Sequence, residues 1–372
     1  MQQRNVALDV FRGMTVCFMI IVNTPGNSST TFSPLLHAHW NGFTPTDLVF
    51  PSFLFAVGNS VSFVMRKWTT MSQSQVVWKI LKRTAIIFLL GYLMYWFPFF
   101  RLDKDHSIVA SSINSTRIMG VLQRIALCYG IASLMIYFLK VRASVVICIA
   151  LLFLYWILLY WFGNPADPLS LEGNAEFKLD KLLMGESHMY HGEGVAFDPE
   201  GWLSTLPAIG NVVGGYVAGR WIQQKGNSYE GLTKLLFAGF GFIVLGYFWD
   251  LLFPINKKLW TSSFVVYTIG IDCVIIALLN YIIQFEKKVS WSRFFQVFGK
   301  NTLFIYLVSE LLVTVLFMIP VGQNSNVFRW AYQNIFSYAG GYLGSLLFAI
   351  AYMLICWSIG YWMDKRKIYI KV

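Results

Sequence analysis

IMGVLQRIALCYGIASLMIYFLKVRASVVICIALLFLYWILLYWF, residues 118–162, consists of two long apolar runs separated by Lys140, Val141 and Arg142. Each run has about 20 residues, which is the length an α-helix needs to cross the hydrocarbon core of a bilayer. Lys140 and Arg142 are typical of a short cytoplasmic connection, because basic residues are retained on that side of a membrane. The stretch therefore predicts two adjacent membrane-spanning helices, 118–139 and 143–162.

The composition extends this prediction to the whole chain. Of its 372 residues, 56% are hydrophobic and 13% are charged, which leaves too little polar surface to cover a soluble globule of this size. Eight further apolar runs have a suitable length, and they lie near residues 6–24, 47–65, 82–98, 203–221, 233–253, 262–284, 300–320 and 339–362. The sequence therefore predicts an all-α polytopic membrane protein with about ten transmembrane helices in a single domain, 1–372.

The distribution of lysine and arginine predicts the orientation. With the N-terminus inside, twenty of the 29 Lys and Arg residues fall in cytoplasmic segments and eight in outer segments, while Arg124 lies within a span. We therefore expect both termini in the cytoplasm. The net charge of +11 is an orientation signal of this kind, and we expect no nucleic-acid partner. The first run also resembles a signal peptide, but no small-residue cleavage site follows it, so we interpret it as a retained helix.

Polar side chains with catalytic potential concentrate in LLHAHWNGFTPTDLVFP (35–51), just before the second predicted span. His37 and His39 fall in the first outer loop, Asp47 lies at the outer mouth of the second span, and Asn23 ends the first, so we expect them to converge at one membrane–water boundary. Histidine can act as a base or a nucleophile, and a carboxylate can hold its other ring nitrogen. A hydrated loop histidine and, less strongly, a His/His/Asp metal site are the alternatives.

The five cysteines do not add a metal site or a disulfide framework. All of them fall within predicted spans, and no two form a CxxC pair. The longest segment outside the spans, about 163–202, is polar and contains the turn-rich motif GEGVAFDPEG (192–201). A connection of that length is usually functional or disordered, and the turn residues favour a structured, functional loop.

Several motifs resemble one protein family. They are RNVALDVFRGMTV (4–16), IVNTPG (21–26), HAHWNGFTPTDLVFP (37–51), FLFAVGNS (53–60), GVLQR (120–124), DKLLMGESHMY (180–190), VAFDPEG (195–201) and PINKKLWTSSFV (254–265). In this order they resemble, over essentially the whole chain, the transmembrane acetyltransferases typified by heparan-α-glucosaminide N-acetyltransferase. The resemblance implies a compact prokaryotic relative without the lumenal N-terminal domain of the animal enzyme, located in the bacterial inner membrane.

The resemblance implies a reaction and three catalytic residues. The family transfers an acetyl group from cytosolic acetyl-CoA to the amine of a glucosamine residue across the membrane, and it suggests a homodimer. His37 matches the family's active-site histidine, Asp47 the aspartate of its DLVFP motif, and Asn23 the asparagine that ends the first span. His39 occupies a variable position. Ser309 stands where some relatives carry a histidine before the glutamate.

A second group of residues is expected to contact substrates or the donor. For the acceptor these are Trp40, Asn41, Asp198, Glu200, Asn256, Lys258 and Trp260, while Arg124 is expected to pair internally or to line the path of the acetyl or pantetheine group. The outer loop would contribute two carboxylates that attract a cationic amino sugar. Arg12 is expected either to pair with Asp9, three residues earlier on the same helix face, or to contact a CoA phosphate. Asp250, Asp272 and Glu310 should line a cavity or pair internally, because an unpaired charge is costly in a membrane.

Two other classes of function remain open on the residues alone. A transporter of a small polar or amino-sugar solute is the main alternative, since ten spans with buried carboxylates also suit transport. A scaffold subunit without activity is a third interpretation. The motif residues concentrate at the outer ends of spans rather than at broken mid-membrane helices, and this distribution favours the acetyltransferase.

Overall fold

Nearly all regular structure in the computed structural model is helical. It describes residues 6–102, 108–322 and 325–370, in which the α-helices are α1 (Val6–Asn23), α2 (Val49–Trp68), α3 (Gln73–Trp96), α4 (Val121–Phe162), α5 (Ala175–Met184), α6 (Thr205–Lys225), α7 (Tyr229–Asp250), α8 (Ser262–Asn280), α9 (Ser292–Lys300), α10 (Thr302–Met318), α11 (Val327–Ala331) and α12 (Gly341–Lys365). Four short strands form two antiparallel pairs, β1 (Phe100–Leu102) with β2 (Ile108–Ala110) and β3 (Pro320–Val321) with β4 (Ser325–Asn326). Arg4, Lys104 and Lys371, which entered the predicted charge distribution, lie outside the described residues.

The helices confirm an all-α membrane protein. Within the described ranges, six helical stretches are long and apolar enough to cross a membrane, and the bent pair α9–α10 makes a seventh. The six are Val6–Asn23, Pro45–Trp68, Val121–Phe162, Tyr229–Asp250, Ser262–Phe285 and Gly341–Lys365. Every one of the ten predicted spans coincides with a helix, two of them with the two halves of α4. The number of crossings and the side of the termini stay predictions.

The long helix α4 is broken where the sequence predicts a connection between two spans. Lys140 has φ 63° and ψ 167°, a combination that is almost restricted to glycine. A continuous helix of 42 residues would be about 63 Å long at 1.5 Å per residue, roughly twice the thickness of the hydrocarbon core. The break at Lys140 therefore separates two helical segments, each of membrane-spanning length.

The chain divides into two compact units, and the first comprises the described residues of 1–38, 44–53 and 279–371. Here α1 packs along α9 and α12. The axes of α9 and α10 meet at 83°, so the predicted straight span 300–320 begins at a bend. Asn301 lies at this bend, and its side chain donates to the Ile368 carbonyl and accepts from the Ile370 N–H. The asparagine thereby satisfies two backbone groups of residues 368–370, which follow α12, and holds them beside the bend.

The second unit comprises residues 39–43 and 54–278. Within it α4 packs against α3 and α6. A Cβ atom at Gly58 would lie 1.9 Å from the Val212 carbonyl oxygen, and one at Gly215 would lie 2.0 Å from the Phe55 carbonyl oxygen. No side chain fits at such distances, so glycine at both positions lets the α2 and α6 backbones touch. The single functional domain predicted over 1–372 stays a prediction.

The long outer loop is folded, as the turn motif predicted. Asn174 caps α5 at its start, where its Oδ1 accepts the Phe177 N–H at 2.7 Å. Gly185, with φ 74°, follows the end of α5. Ala175 packs in a buried cluster with Tyr155 and Leu159 of α4 and with Phe253. These contacts attach the loop to the end of α4, while its contact with an acceptor stays a prediction.

Candidate active site

A turn immediately before α2 holds the Asp47 carboxylate in place. The 3-10 turn Pro45–Leu48 follows Thr44, whose N–H donates to Asp47 Oδ2 at 2.9 Å, while the Asp47 N–H donates to the Thr44 carbonyl at 3.0 Å. The Ala38 N–H donates to the same carboxylate oxygen at 3.1 Å. Asp47 is only 1% exposed. These bonds offset the cost of burying its charge.

His37 contacts the other oxygen of this carboxylate. Its ring Nδ1 lies 2.6 Å from Asp47 Oδ1, and its side chain is 43% exposed. An ionised carboxylate only accepts hydrogen bonds, so Nδ1 carries the proton, and Nε2 has the lone pair of the neutral ring. The structure thus brings together two residues ten positions apart in the chain and makes Nε2 the basic atom of an accessible imidazole.

We expect Asp47→Asn to lower catalytic turnover by about 10² or more, because it disfavours this tautomer. The carboxylate has two accepting oxygens, whereas the amide of the variant has one accepting oxygen and one donating NH₂ group. The oxygen can accept either from His37 or from the Ala38 and Thr44 N–H groups, and the NH₂ group must then face the other side. Since the two N–H groups are fixed, the NH₂ end turns to the ring and forces the proton onto Nε2. Turnover of the variant is compared with that of Asp167→Asn, an exposed aspartate of the outer loop. Equal turnover in the two variants would contradict an orienting role for Asp47.

Asn23, the third predicted catalytic residue, ends α1 and is exposed. Its Nδ2 donates to Glu310 Oε1 in α10 at 3.3 Å. Glu310 is one of the intramembrane carboxylates for which an internal partner was predicted, and the structure confirms such a partner. An amide carries two N–H donors. The bond to Glu310 therefore orients the Asn23 amide without using its whole donor capacity.

Arg12 and Asp9 form an ion pair near the beginning of α1, which confirms the pairing predicted from their spacing. Asp9 is buried and Arg12 is half-buried. The arginine compensates the charge of the buried carboxylate. A contact between Arg12 and a CoA phosphate stays a prediction.

Residues 39–43 contact two outer segments within the second unit. The Trp40 indole N–H donates to the Leu169 carbonyl at 2.9 Å. The Asn256 amide donates to Asn41 Oδ1 at 3.0 Å. Asn41 is exposed and Trp40 half-buried, whereas Asn256 is fully buried. Of these three predicted substrate contacts, Trp40 and Asn41 therefore keep a surface that a ligand can reach.

Lys258 belongs to the same group of contacts. Its Nζ lies 2.5 Å from Glu193 Oε2 and 2.9 Å from the His39 carbonyl oxygen, to which it donates. It also lies 5.9 Å from the centre of the Trp40 ring, within the range of a cation–π contact. The structure therefore joins Lys258 and Trp40, predicted separately as substrate contacts, in one cluster with an acidic residue of the outer loop.

Asp198 and Glu200 are paired inside the protein. Arg117 donates to both oxygens of Asp198, at 3.0 Å and 2.6 Å, and to Glu200 Oε2 at 2.6 Å. Its guanidinium lies over the Tyr95 and Tyr190 rings, 5.0 Å and 4.8 Å from their centres. The two carboxylates are buried, and the arginine offsets their charge. The expected attraction of a cationic sugar does not fit this geometry, which instead fixes the outer loop through a bidentate pair.

Arg124 is fully buried in a polar network of the second unit. Its Nη2 donates to the Gly201 carbonyl at 2.9 Å and to the Ser204 hydroxyl, and it lies 3.8 Å from Glu176 Oε1. The guanidinium carbon lies 5.0 Å from the centre of the Trp260 ring. Arg124 Nε and Nη1 have no hydrogen-bond partner among the residues that the structure describes. The network therefore connects α4, the outer loop and the segment before α8.

Burial changes the interpretation of three predicted substrate contacts. Arg124, Asn256 and Trp260 are each 0% exposed. The Trp260 indole N–H donates to Asn211 Oδ1 at 3.0 Å, and Asn256 Oδ1 accepts the Leu259 N–H at 2.9 Å. These side chains hold the core together instead of facing a surface that a sugar can reach.

Two acidic residues that the sequence interpretation missed belong to the Arg124 network. Glu176 and Asp180 are four residues apart on α5, and both are 0% exposed. Glu176 accepts hydrogen bonds from the Ser204 and Tyr155 hydroxyls, and Asp180 Oδ1 accepts the Trp202 N–H at 2.9 Å. Burial and the nearby Asp180 raise the pKa of Glu176 well above its usual value. The signal was their spacing, which places both on one helix face.

Asp180 makes the stability of the protein depend on pH. Burial raises the pKa of Asp180 from 3.8 to about 7, although the Trp202 N–H opposes the shift. Between these values the folded protein holds a proton that the unfolded chain has released, so stability falls as the pH rises through this window. We expect the unfolding temperature to fall less steeply in Asp180→Asn than in the native protein between about pH 4 and pH 7. Parallel pH profiles for the two proteins would refute the contribution of Asp180.

The comparisons with known proteins agree with the motif resemblance. No family model matches the chain. The heparan-α-glucosaminide N-acetyltransferase of Mus musculus is 25% identical over 423 aligned residues, which cover 98% of this chain and 60% of the mouse protein. The chain is thus similar, over nearly its whole length, to a heparan-α-glucosaminide N-acetyltransferase. The Homo sapiens protein of that name is also 25% identical, over 424 residues that cover 98% of this chain and 59% of the human protein.

The chain thus spans about 60% of the length of these heparan-α-glucosaminide N-acetyltransferases. The aligned part includes 98% of this chain. The similarity therefore extends over nearly all of the helices described above.

Proposed function

We propose that the protein is a transmembrane acetyltransferase that moves acetyl from cytosolic acetyl-CoA to the amine of a glucosamine-type sugar on the extracytoplasmic side. The observation that carries the proposal is the contact of 2.6 Å between His37 Nδ1 and Asp47 Oδ1, which creates an accessible, oriented base. The names of the two relatives supply the reaction class. The excess of basic residues in the segments assigned to the cytoplasm supplies the orientation.

In the direct route, His37 acts as a general base. The amine lone pair attacks the thioester carbonyl, His37 Nε2 takes a proton from the amine nitrogen, and the C–S bond breaks as CoA leaves as a thiolate. The imidazolium then returns its proton to the thiolate or to water. Asp47 stabilises the imidazolium through its charge and its bond to Nδ1. The buried position of Asp47 strengthens that interaction, because little water screens it.

In the second route, His37 is the nucleophile. Nε2 attacks the thioester carbonyl, the C–S bond breaks as CoA leaves as a thiolate, and an acetyl-imidazole forms. The amine then attacks the acetyl carbon, the C–Nε2 bond breaks, and the proton lost by the amine nitrogen passes to the freed Nε2 or to water. Both routes use the same atom and the same orienting carboxylate. They differ in one observable, because only the second places a labelled acetyl group on the protein when no acceptor is present.

Asn23 is proposed to stabilise the oxyanion that develops on the carbonyl in either route. Its amide is oriented by Glu310 at 3.3 Å, and its second N–H can donate to the oxygen. Preorganised donors of this kind contribute strongly to acyl transfer. Asn41, which is exposed, is the alternative donor.

The acceptor is proposed to contact the cluster of Trp40, Asn41 and Lys258. The half-buried Trp40 ring can stack on the apolar face of a sugar, while Asn41 and Lys258 can bind hydroxyl groups. Glu193 pairs with Lys258 at 2.5 Å and so orients the lysine beside the Trp40 ring. These roles replace those first assigned to Asp198 and Glu200.

The remaining partners follow from the same proposal. Acetyl-CoA is the donor, with Arg12 as a candidate phosphate contact, and the protein works as a homodimer in the cell membrane. Within residues 6–102, 108–322 and 325–370, no three His, Cys, Asp or Glu side chains are placed to hold a metal ion. A reaction without a metal stays a prediction.

The function is tested with purified protein in detergent, labelled acetyl-CoA and a panel of glucosamine-containing acceptors. Formation of an N-acetyl product with equimolar release of CoA supports the proposal. Failure to acetylate any acceptor, together with uptake of an amino sugar into liposomes that contain the protein, would favour a transporter.

A further inference from the structure

A cavity of about 570 Å³ lies in the second unit beside the break in α4. It is lined by the cationic side chains of Lys140, Arg142 and Arg220, together with Tyr216 and the apolar residues Ile136, Leu139, Val141 and Ala143. The described residues that line it include no acidic side chain. Two separate elements, the break in α4 and the last turns of α6, therefore direct positive charge into one space.

The charge of these three residues is not compensated by the protein itself. Within the part of the chain that the structure describes, Lys140, Arg142 and Arg220 form no ion pair with a carboxylate. Arg66 of α2 does not line the cavity, but it lies close enough to Tyr216 to add positive charge near it. Cations that share a cavity repel one another, so an anion that enters it gains from all of them.

Lys140 also has a strained backbone. Its φ of 63° and ψ of 167° lie in a region where glycine is favoured. Glycine at this position would relieve the strain but would remove one positive charge from the cavity. Strain of this kind is often found at ligand sites, where the side chain is needed at that place.

We propose that Lys140, Arg142 and Arg220 form a binding site for phosphate groups. Phosphate oxygens accept charge-assisted hydrogen bonds, and two arginine forks can hold them in a defined geometry. The phosphate comes from one of two sources, the nucleotide end of the acetyl donor or the headgroup of an anionic phospholipid. The first source rests on the function proposed above, whereas the second does not.

The test uses the full-length protein in nanodiscs of phosphatidylcholine, with CoA and inorganic pyrophosphate as soluble probes. A parallel preparation contains phosphatidylglycerol, and the number of lipids retained on the protein is counted by native mass spectrometry. Arg142→Gln and Arg220→Gln are compared with Lys82→Gln, which removes an exposed lysine of α3 that does not line the cavity.

We expect each arginine variant to weaken binding of CoA and pyrophosphate about tenfold, the effect of one charge-assisted bond, while Lys82→Gln leaves it unchanged. Unchanged soluble binding with fewer retained phosphatidylglycerol molecules would identify the lipid headgroup as the source, and this also supports a phosphate site. The proposal would be overturned if Arg142→Gln and Arg220→Gln both bound CoA and pyrophosphate with native affinity and retained as many phosphatidylglycerol molecules as the native protein.

Lys140→Gly separates binding from folding. The variant should unfold at the same or a higher temperature, because the strain is relieved, and should still bind phosphate more weakly. Lower stability with unchanged binding would count against the site. Phosphate binding is measured without acetyl transfer, so the two hypotheses can fail separately. A native protein that binds pyrophosphate but transfers no acetyl group would refute the proposed acetyltransferase function and leave the phosphate site in place.

Discussion

His37→Ala lowers acetyl transfer by about 10² to 10⁴, the contribution typical of a general base. The loss follows from the geometry, since Nδ1 of His37 is held 2.6 Å from the buried Asp47 carboxylate and Nε2 is the atom that accepts the amine proton. The change is measured as turnover with labelled acetyl-CoA at saturating acceptor. Binding of acetyl-CoA should stay near its native value, whereas the unfolding temperature should fall modestly, because the buried Asp47 carboxylate loses one hydrogen-bond partner but keeps those to Ala38 and Thr44.

His39→Ala is the matched control. His39 is also exposed and lies two positions further along, but its contact in the structure is made by its backbone carbonyl with Lys258. If turnover is native in His39→Ala and is largely lost in His37→Ala, His37 is the histidine that takes part in the reaction. Labelled acetyl retained by the native protein without acceptor, and lost in His37→Ala, would select the nucleophilic route. Native turnover in His37→Ala would remove this residue from the mechanism.

Arg124→Leu destabilises the folded protein by about 3 kcal/mol, the upper end of the cost of leaving buried polar groups without a hydrogen-bond partner. Arg124 is fully buried and makes contact with Gly201, Ser204 and Glu176. Its removal leaves the Ser204 hydroxyl without its donor and takes the nearby cation from Glu176, while the Gly201 carbonyl keeps the Thr205 hydroxyl at 2.9 Å. Thermal unfolding in detergent measures the effect. Arg329→Leu, at an exposed arginine of α11, should stay within about 0.5 kcal/mol of the native protein.

The double variant Arg124→Leu, Glu176→Gln tests the cause. If the loss comes from an unpaired carboxyl group, neutralising Glu176 recovers part of the stability, and the two effects are not additive. Turnover is measured at a temperature where Arg124→Leu is still folded. Native turnover there supports a role in the core, while a specific loss of turnover in folded protein would restore the sequence prediction that Arg124 contacts the substrate.

Much of the helical architecture could be predicted from the sequence, because long apolar runs have few other stable arrangements in a membrane. The break at Lys140 was visible as a cationic interruption between two such runs. The pair His37 and Asp47 was also predictable, since both residues lie in the short segment just before α2, Asp47 in the turn that begins at Pro45. The bend of 83° between α9 and α10 was not, because an apolar pattern does not specify the angle between two successive helices.

The environment of individual polar residues was the part that could not be predicted. Asp198, Glu200 and Trp260 lie in segments that read as exposed loops, but tertiary contacts bury all three. Arg117, which pairs with both carboxylates, lies 81 residues from Asp198 in the chain. Pairing over that distance depends on how helices pack, which local sequence patterns do not specify.

The most direct test of the central claim places donor and acceptor on opposite sides of a membrane. Liposomes containing the protein are loaded with glucosamine, and labelled acetyl-CoA, which does not cross the bilayer, is added outside. The account predicts that N-acetylglucosamine accumulates inside, that CoA is released outside, and that His37→Ala abolishes both. Product formed only when donor and acceptor share a compartment would contradict transfer across the membrane.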